Sequence, residues 1–428
     1  MQLKRLTIKV AAATAMLAAG NVMAAGFMLQ NQNGAGTGYA YAGSAAVAED
    51  ASTIFFNPAG MLYLSEGHHV SGALTVLDRK LEFSDRGSNA LRVAAPPVPG
   101  YPLGNDGGDA GGASLVPAVY WAMSLNKDLR LGLGISPTFG NATEWDDAFI
   151  GRYQGAYSEI KAININPSVA YRVNDMVSLG FGINYVKFEA DLRGMQPVTR
   201  LLPNTVDIES KLSGDDTGWG WNAGVIFQLN PALRVGLTYR SKIDLDVEGK
   251  VEAGPTSTPA KVSIELPDTA SLALAYQASD KLQVLADYTW TGWSSIPRLR
   301  VQHRNLGVVL TDEYLGFKDS YRVGIGMQYQ YTDALRLRAG VAYDQSPIRK
   351  AEDRTVRLPD SDRTWLAIGF NYKLNKQTSI DAGYARLFFD KAKIDRRTVL
   401  GTNATTQFVR GSFDTSVNIF SLQLNHAF

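Results

Sequence analysis

The chain has 428 residues, with 42 Lys plus Arg, 41 Asp plus Glu and no cysteine. That length fits two or three soluble domains or one large barrel. The near-zero net charge excludes the basic excess a nucleic-acid partner would need, and the missing thiols exclude cysteine zinc sites and thiol catalysis.

Lys4, Arg5 and Lys9 form a basic start, residues 10–19 a short apolar run, and Val22, Met23 and Ala24 a small-x-small pattern. The run is too short to span a bilayer as a helix, so residues 1–24 read as an export signal cleaved after Ala24. No later segment reaches the ~18 uninterrupted apolar residues of a membrane helix. The exported chain is therefore either soluble or a barrel.

Residues 25–66 are rich in Gly, Ala and Asn and show no sustained alternation. From residue 67 to 428 the pattern has period two. In residues 234–248, Val235, Leu237, Tyr239, Ile243, Leu245 and Val247 are predicted to point one way, opposite Arg234, Arg240, Lys242, Asp244, Asp246 and Glu248. One face is then apolar and the other charged. Such runs exceed the ~5–6 residues usual in globular sheets and suit tilted membrane strands.

Fourteen strands are predicted, starting near residues 67, 115, 129, 159, 177, 219, 233, 269, 282, 320, 335, 363, 378 and 412. Tight turns, such as Asn174 with Asp175 and Asn230 with Pro231, alternate with long connections. That alternation marks a bacterial barrel with short periplasmic turns and long outer loops, and an even count puts both ends on the periplasmic side. Aromatics near strand ends, including Tyr120, Trp121, Trp219, Trp221, Tyr239, Tyr288, Trp365 and Tyr372, suit the headgroup level. The fold class is all-β: a 14-stranded antiparallel transmembrane barrel plugged by an N-terminal hatch. Fourteen strands ~4.8 Å apart and tilted ~40° enclose a backbone cylinder roughly 28 Å across. So broad a lumen is either filled or an aqueous pore, and residues 25–66 are the natural plug.

In the third strand, Gly132, Gly134, Pro137 and Gly140 break the ladder pattern, because proline cannot donate and glycine packs poorly. Gly134, Pro137 and Gly140 therefore mark a candidate wall opening, through which an apolar solute leaves into lipid rather than water. Trp145, Phe149, Ile150, Tyr153 and Tyr157 in the following loop are expected to form an exposed apolar patch, the usual mark of a ligand or partner site.

The residues resemble the long-chain fatty acid transporter (FadL-type) family of outer-membrane proteins. The resemblance is carried by Ala25-Gly26-Phe27-x-Leu29, by Gly38-x-Ala40-Tyr41-x-Gly43, by Asn57-Pro58-Ala59, by Gly316-Phe317-Lys318-Asp319 and by Pro359-Asp360-x-Asp362-Arg363-x-Trp365, and it spans nearly the whole chain. It implies a monomeric barrel in which hydrophobic substrate enters between outer loops, passes an internal pocket and leaves sideways. It implies a hatch motif at Asn57, Pro58 and Ala59, with Phe27, Leu29, Phe55 and Phe56 as pocket candidates. It places Lys187 and Arg193 near the family's carboxylate-binding arginine. The family's Lys just before Gly-Phe-Lys-Asp is missing here, where residues 311–315 read Thr-Asp-Glu-Tyr-Leu. An uncharged hydrocarbon would not need that cation.

The functional expectation is passive uptake of hydrophobic small molecules, fatty acids first and aromatic or alkane hydrocarbons as the variant, with outer-membrane lipid or lipopolysaccharide around the barrel. A reading of another class is a structural or adhesive barrel binding host or phage surfaces. His68, His69, His303 and His426 lack metal-ligand spacing and no G-x-S-x-G elbow occurs, so no enzyme activity, metal or cofactor is expected.

Overall fold

Alternation gives a sheet two unlike faces, and its register closes that sheet on itself. The computed structural model describes residues 26–92, 104–198, 206–400 and 405–428; the expected export signal lies outside them. The ring comprises β1 (His68–Asp85), β2 (Gly112–Ser124), β3 (Leu129–Glu144), β4 (Tyr157–Arg172), β5 (Val177–Val198), β6 (Val206–Asn230) and β7 (Leu233–Arg240). It continues through β8 (Thr269–Gln277), β9 (Leu282–Thr291), β10 (Ser320–Gln330), β11 (Leu335–Asp344), β12 (Arg363–Lys373), β13 (Thr378–Phe389) and β14 (Thr405–Ala427). Each strand pairs antiparallel with the next, and β14 returns to β1 from His69↔Ala427 to Asp85↔Gly411. Closure removes the free edges that lipid would otherwise meet, as a spanning sheet requires, except where β2 and β3 part above Val119.

In the half nearer the short turns, Leu237, Ile325, Val341, Ile368 and Leu422 are exposed on the outside, while Asn184, Asn222, Arg338, Asp381 and Gln423 are buried within. Phe420, Leu422 and Leu424 lie on the outward face of β14, and Phe428 just beyond its end is exposed as well. Two of the expected girdle aromatics point the other way: Tyr120 and Trp365 are buried in the lumen.

The half nearer the long loops departs from the expectation. Residues 234–248 are not one strand. β7 stops at Arg240, and a hairpin (Ile243–Ala253 with Thr256–Leu266) takes over its place beside β6. The ladder shifts by one residue between Asn222↔Arg240 and Asp215↔Glu248, so the facing of alternate residues inverts. Leu237 faces outward, whereas Ile243, Leu245 and Val247 are buried inside. β6 starts at Val206 rather than near 219. Its first half carries apolar residues on the other parity from Trp219 and Trp221, so one alternating pattern does not run its length. This half forms a cup whose inside is apolar and whose outside carries charges such as Lys187 and Glu189. A second hairpin, Arg298–His303 with Val309–Tyr314, and a strand at Ala392–Leu400 extend it.

Residues 26–64 lie within the ring as three short helices, α1 (Gly34–Gly38), α2 (Ser44–Val47) and α3 (Thr53–Phe56), then a 3-10 turn at Pro58–Tyr63. The Asn33 side chain caps α1 by accepting from Gly36 N at 2.7 Å. Ala40, Tyr41 and Ala48 adopt left-handed backbone angles, a cost the surrounding wall contacts must hold in place. Among the described residues no helix is long and apolar enough to cross a membrane.

Candidate functional site

The hatch is stitched to the wall by Asn57, which is wholly buried. Its Nδ2 donates to Ala45 O (2.9 Å) and Val225 O (3.2 Å), and its Oδ1 accepts from Ala59 N (3.1 Å). Pro58 suits the first position of the 3-10 turn, where its missing N–H costs nothing. The wall is flattened to receive this turn. A Cβ at Gly224 would stand 2.1 Å from Asn57 Oδ1, and one at Gly180 2.1 Å from Ala59 N. Asn57, Pro58 and Ala59 therefore form a docked turn rather than a solvent-facing one.

Ionic contacts fix the hatch on the opposite side. Glu49 accepts from Arg336 (2.7 Å) and Arg338 (2.8 Å), and Arg338 also pairs with Asp381 of β13. Arg234 donates to Val47 O at 3.0 Å. Inward arginines of the wall thus grip the hatch, whereas Asp244 and Asp246 sit on the outward face of the hairpin. Burial opposes the Glu49 charge, and Arg338 and Arg336 outweigh it, holding its pKa below the ordinary 4.5. Asp50 has no such partner; burial, then Asp381, pushes it up to about 6.

Two cavities flank the first residues of the hatch. The upper one, about 110 Å³, lies inside the cup and is almost wholly apolar, walled by Ile160, Phe188, Leu212, Val262, Leu299 and Phe317. Phe27 forms part of its wall and packs against Trp293 (ring centroids 5.0 Å) and Phe139 (5.7 Å). The lower one, about 70 Å³, is bounded by Met28, Leu29, Phe55 and Phe56 of the hatch and by Thr138, Phe139 and Arg240 of the wall. Of the pocket candidates, Phe27 thus belongs to the upper cavity and Leu29, Phe55 and Phe56 to the lower. The Phe27–Phe139–Trp293 cluster stands between them.

β3 pairs with β2 only from Ser124↔Arg130 to Val119↔Ile135. Beyond Ile135 it leans into the lumen, and its ladder to β4 slips between Pro137 and Phe139. The edge freed from β2 is taken up by the hatch. Leu29 N donates to Thr138 O (2.8 Å), Gly140 N to Phe27 O (2.8 Å), and Gln32 Nε2 to Pro137 O (2.7 Å). Gln32 Oε1 in turn accepts from Tyr120 OH at 2.8 Å. Above the gap, Glu144 N reaches Ala110 O and Arg79 reaches Ala142 O, closing the wall again. The result is a break in β2–β3 pairing bounded at both ends, with Gly134 and Pro137 near its lower margin and Gly140 on the strand that leaves.

The comparisons with known proteins meet this geometry. The profile of the outer membrane protein transport protein family (OMPP1/FadL/TodX) matches residues 15–428. The chain belongs to the OMPP1/FadL/TodX family. It is 32% identical to outer membrane protein P1 of Haemophilus influenzae, over 97% of this chain and 98% of that one. It is 28% identical to the long-chain fatty acid transport protein of Salmonella typhi, over 87% and 89%. The crystal structure of a Pseudomonas aeruginosa FadL homologue superposes with a TM-score of 0.86 at 25% identity, covering 94% of this chain and all of that one.

As a member of this family, whose proteins are outer-membrane transporters of hydrophobic compounds rather than enzymes, the chain sits in the outer membrane with its long loops outside. Its remaining candidates fall in unexpected places. Trp145, Phe149, Ile150 and Tyr153 are buried, not exposed. Trp145 stacks on Phe149 (centroids 4.3 Å), and with Leu81 and Phe83 of β1 and Phe413 of β14 they pack the loop against the inside of the wall. Tyr157 lies under the Arg193 guanidinium at 4.6 Å. None of the five lines the upper cavity. Lys187 is 57% exposed on the outside of the FadL-type cup and pairs with Glu189, and Arg193 pairs with Asp191. Gln32 and Tyr120, which tie the hatch to β3 and β2, belong to no sequence motif, and Tyr120, beside Trp121 at a strand end, turns into the lumen.

Proposed function

We propose that this FadL-type barrel carries hydrophobic small molecules, foremost long-chain fatty acids, passively across the outer membrane. The observation that carries the reading is the break in pairing between β2 and β3, which we read as a lateral window. The hatch fills the lumen, so a straight path to the periplasm is blocked, while the wall opens at the strand that the hatch itself holds. Substrate enters the apolar cup, passes Phe27 into the lower cavity and leaves by the window into lipid, where an apolar solute has its lowest free energy. The relative in Salmonella typhi whose name is long-chain fatty acid transport protein supports the substrate class. The ring closes within one chain, which supports a monomer, and the lysines just above the apolar belt, Lys161 and Lys187, support contact with lipopolysaccharide phosphates.

The test is whole-cell uptake of labelled oleate and of toluene, with and without the gene. Expected is oleate uptake that falls several-fold on deletion and returns on complementation. Equal uptake of both compounds in the deletion strain refutes transport.

A further inference from the structure

At the end with the short turns the hatch leaves part of the lumen empty. A polar bowl of about 270 Å³ lies beneath it and opens toward the periplasm. Its floor is the ionic seat of the hatch, formed by Glu49, Asp50, Arg336, Arg338 and Asp381. Its rim is the end of β12 and the turn to β13, where Lys373 and Lys376 stand exposed.

The acids of this bowl are matched, and part of the cationic surface is not. Glu49 accepts from Arg336, Arg338 and Gln328 Nε2 (2.6 Å). Asp381 accepts from Arg338, Asn371 Nδ2 (2.9 Å) and Asn425 Nδ2. Asp50 accepts from Ser52 N and is buried. His69 is bonded to Ser65, and His426 to Thr378. Arg336 spends Nε on Gln330 and Nη1 on Glu49, while its Nη2 has no hydrogen bond and is not sealed from solvent. Among the described residues the Lys373 and Lys376 ammonium groups have neither a hydrogen bond nor a carboxylate within ion-pair distance.

These three cations are also ordered in depth. Asn371 of β12 pairs with Arg336 of β11. Lys373 follows two residues later on the same face, about 7 Å nearer the periplasm, and Lys376 lies in the turn beyond. One exposed lysine at a turn needs only water. A row of three leading into a concavity focuses a positive field on the seat of the hatch. The spread suits several carboxylates on one chain better than a single small anion.

We infer that the bowl is a docking site for an acidic segment of a periplasmic protein, whose carboxylates are bound by Lys376, Lys373 and Arg336 and compete with Glu49 for that arginine. Docking then loosens the hatch, and by reciprocity a loosened hatch binds the segment more tightly. This goes beyond the transport reading and holds whichever solute passes.

Wild-type protein and the Lys373→Gln/Lys376→Gln variant, each in lipid nanodiscs that leave both ends open, are titrated with a fluorescein-labelled hexaglutamate peptide. Neither lysine bonds to the hatch, so protection of residues 26–64 from proteolysis without peptide should be the same in both proteins. Wild type is expected to bind the peptide, more weakly as salt rises, and to lose hatch protection as it does so. The variant is expected to bind roughly ten-fold more weakly and to keep its hatch protected. Equal binding by the two proteins, or none by wild type, overturns the site. Binding that leaves hatch protection unchanged overturns the competition with Glu49. Inorganic phosphate that displaces the peptide at equal charge concentration makes the bowl a small-anion site and overturns the protein partner.

Discussion

Leu237 in β7 is 42% exposed and faces outward, while Leu245, eight residues on, is 2% exposed and faces the lumen. The same alternation serves opposite ends because the solvent outside changes. Around the lower wall the outside is lipid, as apolar as leucine itself, so apolar residues turn out and the lumen is left to Asn184, Asn222 and the arginines that grip the hatch. Around the cup the outside is water, so burying the apolar face inward is worth about 1.5–3 kcal/mol per side chain. The lower half therefore makes a polar socket for a plug and the upper half a greasy vessel for a solute. Phe27 sits where the two meet.

The comparison breaks first at the socket. Arg338 is buried and shared between Glu49 and Asp381. Arg338→Met leaves both carboxylates without their main partner, a loss of about 3–5 kcal/mol in hatch docking. Planar-bilayer recordings should then show steady ion conductance that the wild type lacks. Conductance unchanged from wild type would mean that the Asn57 turn, Arg336 and the contacts to β3 hold the hatch without Arg338.

The next effect tests the inversion itself. Leu237→Lys places a charge against lipid and is expected to cost about 2–4 kcal/mol in barrel folding. Leu245→Lys places one inside the cup. It should spare folding of the barrel in membranes, followed by its heat-modified mobility on gels, yet abolish oleate binding. If the two variants fail to fold to the same extent, cup and wall are not separable parts.

The wall was legible because period-two patterning and alternating turn lengths are local signals, and both report the same ring. The cup was not, because the break after Arg240 adds one residue to the phase while leaving Val235 to Val247 an unbroken alternation. Sequence shows which residues share a face, not which solvent that face meets. The same gap hid the fate of Trp145 and Phe149: an apolar loop reads alike whether it binds a ligand or plugs itself. In the hatch the Asn57-Pro58-Ala59 motif was visible, but its partners Gly180 and Gly224 lie more than a hundred residues away and carry no signal of their own.

The smallest effect concerns the seat of the plug, where one carboxyl changes charge and its partners stay in place. Asp50 has its pKa raised from 3.8 to about 6 by burial and by Asp381, and its Oδ1 accepts from Ser52 N at 2.8 Å. A carboxyl raised in the docked state favours docking fully below its ordinary pKa, and that contribution is lost as pH rises from about 4 to 6. Glu49 works in the other direction: its lowered pKa favours docking above about 4.5 and is lost as pH falls. The hatch should therefore be most firmly seated near pH 4 to 5 and loosen toward pH 7. Asp50→Asn keeps an oxygen for Ser52 N and removes the ionisation, so the loosening between pH 4 and 6 should vanish while the acid-side loss from Glu49 remains. Protection of residues 26–64 from proteolysis, followed across pH in both proteins, reads this directly. A slope that survives in Asp50→Asn would place the titrating group elsewhere in the contact between socket and plug.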